Sequence, residues 1–319
     1  MPNVMTQTRN RPDAWACAFL LGLSLGTSAG ADEPSLESRL MPLARAHKGE
    51  VALAVKNLKT GETFLHRQDE PMPTASLIKF PVMVEAYRQA AAKEIDLDEA
   101  VTLGPSDKVP GSGILTDHFS AGARFPLRDA IHLMIAFSDN TATNLVLDEI
   151  GIGSTAATME KMGYPHTKIH SKVYRRDTSV ELERSKKFGL GSTTAAEMLR
   201  LCEALHKKEL VSTEASEAML GHMRACDDRD KFPRFLPPGT KIAFKTGSVD
   251  ESRTAAGIIE TAAGPVALCV LTSHNEDRRY HPDNAGNRLC ADVARAVFDH
   301  FQPGPRPVPD EESKDSQRR

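Results

Sequence analysis

Apolar residues recur at helical intervals over Ser35–His47 (Leu36, Leu40, Leu43, Ala44), which predicts an opening helix. Val51–Asn57 alternates instead. It is followed by the turn residues Leu58-Lys59-Thr60-Gly61-Glu62 and resumes in Thr63–His66, the pattern of a β-hairpin. A long helical stretch begins near Ser76 and runs past Tyr87. Helical spacing returns in Leu127–Phe137, Ala142–Ile150, Ser154–Met162, Thr194–Leu205 and Glu214–Met223. Three strands follow, Lys241–Phe244, Ala255–Glu260 and Val266–Thr272, and a final helix spans about Asn284–Phe301.

Strands from both ends thus enclose a helical block. That order predicts an α+β fold: one antiparallel sheet of about five strands flanked by helices, with a helical domain inserted beside it. The α/β lobe would take residues 32–75 and 227–301, and the helical lobe 76–226. A cleft between them is the natural place for a ligand. Residues 302–319 are rich in proline and charge and should be disordered. No internal repeat is present.

Composition narrows the class. The chain has 319 residues, 40% apolar and 26% charged, which is ordinary for a soluble globular protein with a sizeable core. A net charge of −3, without a basic stripe of interleaved aromatics, gives no reason to expect nucleic acid. Arg9 and Arg11 precede the apolar run Ala14–Leu25, and Ala29-Gly30-Ala31 fits a small-x-small cleavage site. Residues 1–31 therefore read as a signal peptide cut before Asp32, and the product as periplasmic or secreted. The run is too short for a stable membrane anchor, and Cys17 lies too early in it for lipidation. Cys202, Cys226, Cys269 and Cys290 remain, enough for up to two disulfides in three pairings. Cys269 falls in a predicted buried strand, where a small core residue is an equal expectation.

Three motifs carry chemistry. In Ser76-Leu77-Ile78-Lys79, the i and i+3 side chains share a helix face, and the helix start supplies unpaired N–H groups to a developing oxyanion. A lysine held near a second cation and away from water can take the serine proton. In Ser138-Asp139-Asn140, Ser138 would relay a proton and Asn140 would bind a substrate amide. Asp139 suits tying the loop together, and the trio also reads as a helix cap. Lys-Thr-Gly occurs twice: Lys59-Thr60-Gly61 lies in the hairpin turn, and Lys245-Thr246-Gly247 follows a strand. At the second, Lys245 would grip a carboxylate, Gly247 would admit a ligand to the strand edge, and the Ser248 and Ser76 N–H groups would form an oxyanion hole.

Ordered this way, with Ser138 62 residues after Ser76 and Lys245 107 residues after Ser138, the motifs resemble those of the class A β-lactamase and penicillin-binding serine hydrolase superfamily. The resemblance runs from about Leu36 to Phe301 and includes Pro110-Gly111-Ser112-Gly113-Ile114-Leu115, similar to the family's loop on the cleft wall. It implies Ser76 as nucleophile, Lys79 as base, Ser138 as proton relay, and Asn140, Lys245, Thr246, Gly247 and Ser248 at the substrate. It also implies a two-lobed β-lactamase/transpeptidase-like fold acting as a monomer.

One part departs. Class A β-lactamases carry a glutamate in a long loop that directs water at the acyl-enzyme. No Glu-x-x-x-Asn occurs in Lys168–Gly191. Counting forward lands near Val173 and counting back lands near Thr178, with Asp177, Glu181 and Glu183 as the nearest acids. The leading expectation is therefore a β-lactamase. A D-alanyl-D-alanine carboxypeptidase or esterase-like relative is the alternative, and an acylation-only β-lactam or peptidoglycan sensor is the rival of another class. The partner is a β-lactam or a cell-wall peptide. Gly151-Ile152-Gly153 follows a helix, so it marks a helix stop rather than a dinucleotide loop. His166 and His170 lack a completing carboxylate, and no metal or other cofactor is expected.

Overall fold

The computed structural model describes residues 34–302. The expected leader (1–31, with Cys17) and tail residues 303–319 lie outside the described residues. Five strands form an antiparallel sheet: β1 (Glu50–Asn57), β2 (Thr63–His66), β3 (Ile242–Val249), β4 (Ser252–Thr261) and β5 (Gly264–Ser273). Their order is β2-β1-β5-β4-β3, so N- and C-terminal segments interleave as expected and β3 is an edge strand.

The inner strands are apolar almost continuously because both faces of the sheet are covered. Successive side chains point to opposite faces. Ala52 and Ala54 pack with Ile258, Ala267, Cys269 and Leu271 against the helical block. Val51, Leu53 and Val55 pack with Ile259, Leu268 and Val270 in a second core. That second core is closed by helices α1 (Leu36–Ala46) and α8 (Ala285–His300), through Leu36, Leu40, Leu289, Val293 and Val297. The result is a three-layer α/β/α arrangement.

The helical block comprises α2 (Lys79–Ala91), α3 (Leu127–Ala136), α4 (Asn140–Ile150), α5 (Ile152–Lys161), α6 (Ala195–His206) and α7 (Thr213–Arg224). Each lies within two residues of its predicted bounds, apart from α2, whose start is shifted by about three by the turn described below. Side-chain caps set many of the starts: Ser35, Asp139, Thr194, Ser212 and Asn284 each accept a backbone N–H of the first helical turn. Gly151, at φ 78°, ends α4 and lets α5 restart, as its sequence context indicated. α2 runs through the middle and is buried nearly all round, with Phe80, Val82, Met83 and Val84 fully enclosed.

Two features were not foreseen. A three-stranded antiparallel sheet joins Met72–Pro73, Gly191–Thr193 and Lys168–Ile169, and a two-stranded one joins Ala100–Thr102 and Arg124–Pro126. Strands of two or three residues are too short to leave a periodic signal. The disulfides allowed by the cysteine count do not form. Cys202, Cys226, Cys269 and Cys290 are all free and buried. Cys202 and Cys269 lie in the core on the helical side, while Cys226 and Cys290 lie in the core on the other face. Burial pushes the Cys202 and Cys290 thiols up to about 12, as befits inert core residues.

Candidate active site

Ser76 stands on a 3₁₀ turn, Ala75–Ile78, directly ahead of α2, and not in an α-helical turn as its spacing predicted. Three residues per turn place i and i+3 on the same side, so Ser76 and Lys79 still share one side. Ala75 is held at φ 47°, a left-handed conformation that side chains rarely adopt. Lys79 is fully buried. Its Nζ donates to Ser138 O at 2.6 Å and Asn140 Oδ1 at 2.8 Å, and lies 3.3 Å from Ser138 Oγ. Burial, and then the neighbouring Lys245 charge, hold its pKa well below the usual lysine value, with Asp139 opposing. A neutral Lys79 keeps its two short N–H bonds and a lone pair for a proton.

Ser138 also has a left-handed backbone, φ 52°. Its Oγ accepts from Lys245 Nζ at 3.0 Å, so one hydroxyl lies between the two buried amines. Asp139 is the tie that the sequence suggested. Its Oδ1 caps α4 through Ala142 N at 2.8 Å, and its Oδ2 accepts from Ile114 N at 2.7 Å and Leu115 N at 2.9 Å. A Cβ at Gly113 would stand 2.3 Å from the Asp139 carboxyl, which explains glycine there. Asn140 is less free than expected. Its Oδ1 is taken by Lys79 and its Nδ2 donates to Pro110 O at 3.0 Å, leaving one N–H and one lone pair toward the cavity it lines.

Lys245-Thr246-Gly247-Ser248 lies inside β3, which continues through the motif instead of stopping before it. The fully buried Lys245 spends a second N–H on Thr246 O at 2.8 Å and keeps one for a ligand. Its pKa too is lowered, by burial first. Gly247 serves a different purpose from the one its sequence suggested. An added Cβ would meet Thr74 O at 2.4 Å and Ser76 N at 2.8 Å, so glycine lets the strand itself press against the nucleophile turn. Asp228, absent from the sequence reading, supports Thr246. Burial raises its pKa, but Lys231, bonded at 2.8 Å, and the Thr246 hydroxyl outweigh that and hold it low. Arg253 is 1% exposed, donates to the carbonyls of Val249, Ser252 and Arg279, and lies under the Tyr280 ring. It ties the 278–280 segment to the end of β3.

Two cavities meet at Ser76, Ser112 and Ser248. One, about 420 Å³, holds Ser138, Lys245, Thr246 and Asp228. The other, about 740 Å³, extends past Asn140 to Val173, Tyr174, Phe188 and Tyr280. The three acids considered for the water-directing role line neither. Asp177 is exposed and paired with Arg175 at 3.8 Å, and Glu181 pairs with Lys168 and Arg184. Glu183 is 82% exposed beside Lys186. The loop instead presents Val173, whose N–H and C=O are both clamped by Asn144, at 2.8 and 3.0 Å. Asn144 is four residues after Asn140 on the same helix face, a spacing that makes it findable from sequence. His170 is a buried clasp, bonded to Gly189 O and Ser192 Oγ. Among the described residues no cluster of three metal-ligating side chains occurs, and no helix is long and apolar enough to cross a membrane.

A family model described as "Beta-lactamase enzyme family" matches residues 35–301. A β-lactamase of Streptomyces cellulosae is 28% identical over 273 residues, spanning 80% of this chain and 84% of the relative. One of Rhodobacter capsulatus is 24% identical over 289 residues, spanning 88% and 94%. The crystal structure of a β-lactamase from Sphaerobacter thermophilus superposes with a TM-score of 0.74 at 28% identity, covering 84% of this chain and 99% of the other.

Proposed function

The chain belongs to the β-lactamase enzyme family and is a serine β-lactamase-like hydrolase, and from that premise we propose that it opens β-lactam rings through an acyl-Ser76 intermediate. The observation that carries the proposal is the Ser138 hydroxyl bonded to Lys245 and in contact with Lys79, beside the open Ser76. Neutral Lys79 takes the Ser76 proton as Oγ attacks the ring carbonyl. The Ser76 and Ser248 N–H groups hold the oxyanion, and such a donor contributes ~3–4 kcal/mol. The C–N bond then breaks, and Ser138 passes a proton to the departing ring nitrogen while Lys245 steadies the substrate carboxylate. Water cleaves the ester to release product. The apolar run and small-residue cleavage site at the N-terminus support export to the periplasm or beyond.

A second reading rests on Val173. With no carboxylate of the 168–191 loop in either cavity, the ester has no evident water-directing base, and the protein would resemble a D-alanyl-D-alanine peptidase or a sensor that stays acylated toward β-lactams. One experiment tests both. Purified protein is mixed with a chromogenic cephalosporin, and colour and intact mass are followed together. Continuous colour without a lasting adduct supports hydrolysis. One equivalent of colour with a persistent adduct supports the second reading. An adduct or continued turnover that survives in Ser76→Ala, or a wild type that gives neither colour nor adduct, sinks the acyl-serine proposal.

A further inference from the structure

Tyr174 occupies a place that local geometry reserves for other residues. Arg175 N donates to Lys172 O at 3.2 Å, closing a four-residue turn with Tyr174 in its third position at φ 57°. A left-handed third position ordinarily takes glycine or asparagine. The turn is held from behind by the two Asn144 bonds to Val173, so the strain has a fixed support. The ring is not buried in compensation: Tyr174 is 63% exposed and lines the larger cavity.

The facing wall accommodates that ring. At Gly111, φ 93°, an added Cβ would stand 2.7 Å from Asn140 Nδ2, 3.2 Å from the Tyr174 hydroxyl and 3.4 Å from its ring. Glycine at 111 therefore lets the tyrosine lie over the loop that carries Asn140. Tyr280 lines the same cavity, tethered through its hydroxyl to Asp250 at 3.0 Å with the Arg253 guanidinium 5.1 Å from its ring. Two exposed aromatic rings thus border one basin. The cationic end of the cleft, at Lys245, lies in the smaller cavity, and Tyr174 does not line it.

We propose that Tyr174 is a specificity-determining residue that stacks on a planar aromatic substituent carried by the substrate on the side away from its carboxylate. This rests on the acyl-serine reading above. If the carboxylate sits at Lys245 and the scissile carbonyl at Ser76, the remaining substituent has only the larger basin to enter. An exposed ring fixed on a strained turn supplies the flat apolar face that such a group needs.

The test compares acylation rate constants for benzylpenicillin, which bears an aromatic acyl group, and 6-aminopenicillanic acid, which bears none. Tyr174→Ala is expected to slow benzylpenicillin roughly two- to ten-fold while leaving 6-aminopenicillanic acid within about two-fold. Tyr174→Phe should match wild type on both. Tyr174→Gly, which relieves the left-handed backbone, should lose the same selectivity and melt no lower than wild type. Equal losses on both compounds, no loss on either, or a lower melting Tyr174→Gly overturns this inference alone. A wild type that neither compound acylates overturns the acyl-serine reading and this inference with it.

Discussion

Gly247→Ala adds a single methyl at the closest approach between the edge strand and the nucleophile turn. Its Cβ would stand 2.4 Å from Thr74 O, 2.6 Å from Thr254 Oγ1 and 2.8 Å from Ser76 N. Carbon contacts settle near about 3.5 Å, so about 1 Å must be found. Two of the three atoms are backbone, and Thr254 Oγ1 is itself tied to Thr74 O at 2.8 Å, so no flexible end can give way. The strand and the Ser76 turn must separate. Overpacking of this kind costs ~1–3 kcal/mol of stability, and a reacting group displaced by about 1 Å loses ~10²-fold in rate. Single-turnover acylation by a chromogenic cephalosporin, read beside thermal unfolding, measures both. Gly153→Ala is the internal control. It lies inside α5 with open space around the added methyl, and it should gain up to ~1 kcal/mol with acylation unchanged. A Gly247→Ala protein that acylates and melts like wild type would show that the strand-to-turn contact does not position Ser76.

Removing the Lys245 charge, as in Lys245→Gln, should raise the Lys79 pKa, because after burial that charge is the next largest influence holding it down. The acid limb of the acylation pH profile then moves to higher pH, and a limb that stays put contradicts the pairing. His222 is bonded to Tyr87 and His132, and burial followed by the His132 charge takes its pKa down to about 4 from 6.5. The unfolded chain therefore binds more protons than the fold between these values, so stability falls as pH drops from 6.5 toward 4. That loss is ~2–3 kcal/mol in urea titrations, and His222→Gln should largely remove it. The four described cysteines should resist a thiol reagent in the folded protein and react only on unfolding. Labelling under native conditions would contradict their burial.

The three motifs, nearly every long helix and the five-stranded sheet were legible because each is written in neighbouring residues. A helical or alternating period, a capping serine or aspartate, and a glycine after a helix all act within a few positions. Resemblance then placed Ser76, Lys79, Ser138 and Lys245 in one pocket, and the geometry brings them together. The small sheets, Asp228 and the Asn144 clamp on Val173 escaped, as did the turn that strains Tyr174. Their signals are either two or three residues long or depend on partners in another element.

What the chain determined alone was the set of local conformations and the chemical inventory. The fold decided which of those residues face one another. Gly247 reads as room for a ligand until the strand is seen pressed against Ser76 N. Asp177, Glu181 and Glu183 are the nearest acids along the chain to the expected base, and in the fold they pair with neighbouring cations instead of lining the cavity. The physical reason is the same in each case: propensity acts along the backbone, whereas burial, desolvation and shared hydrogen bonds act through space between segments a hundred residues apart.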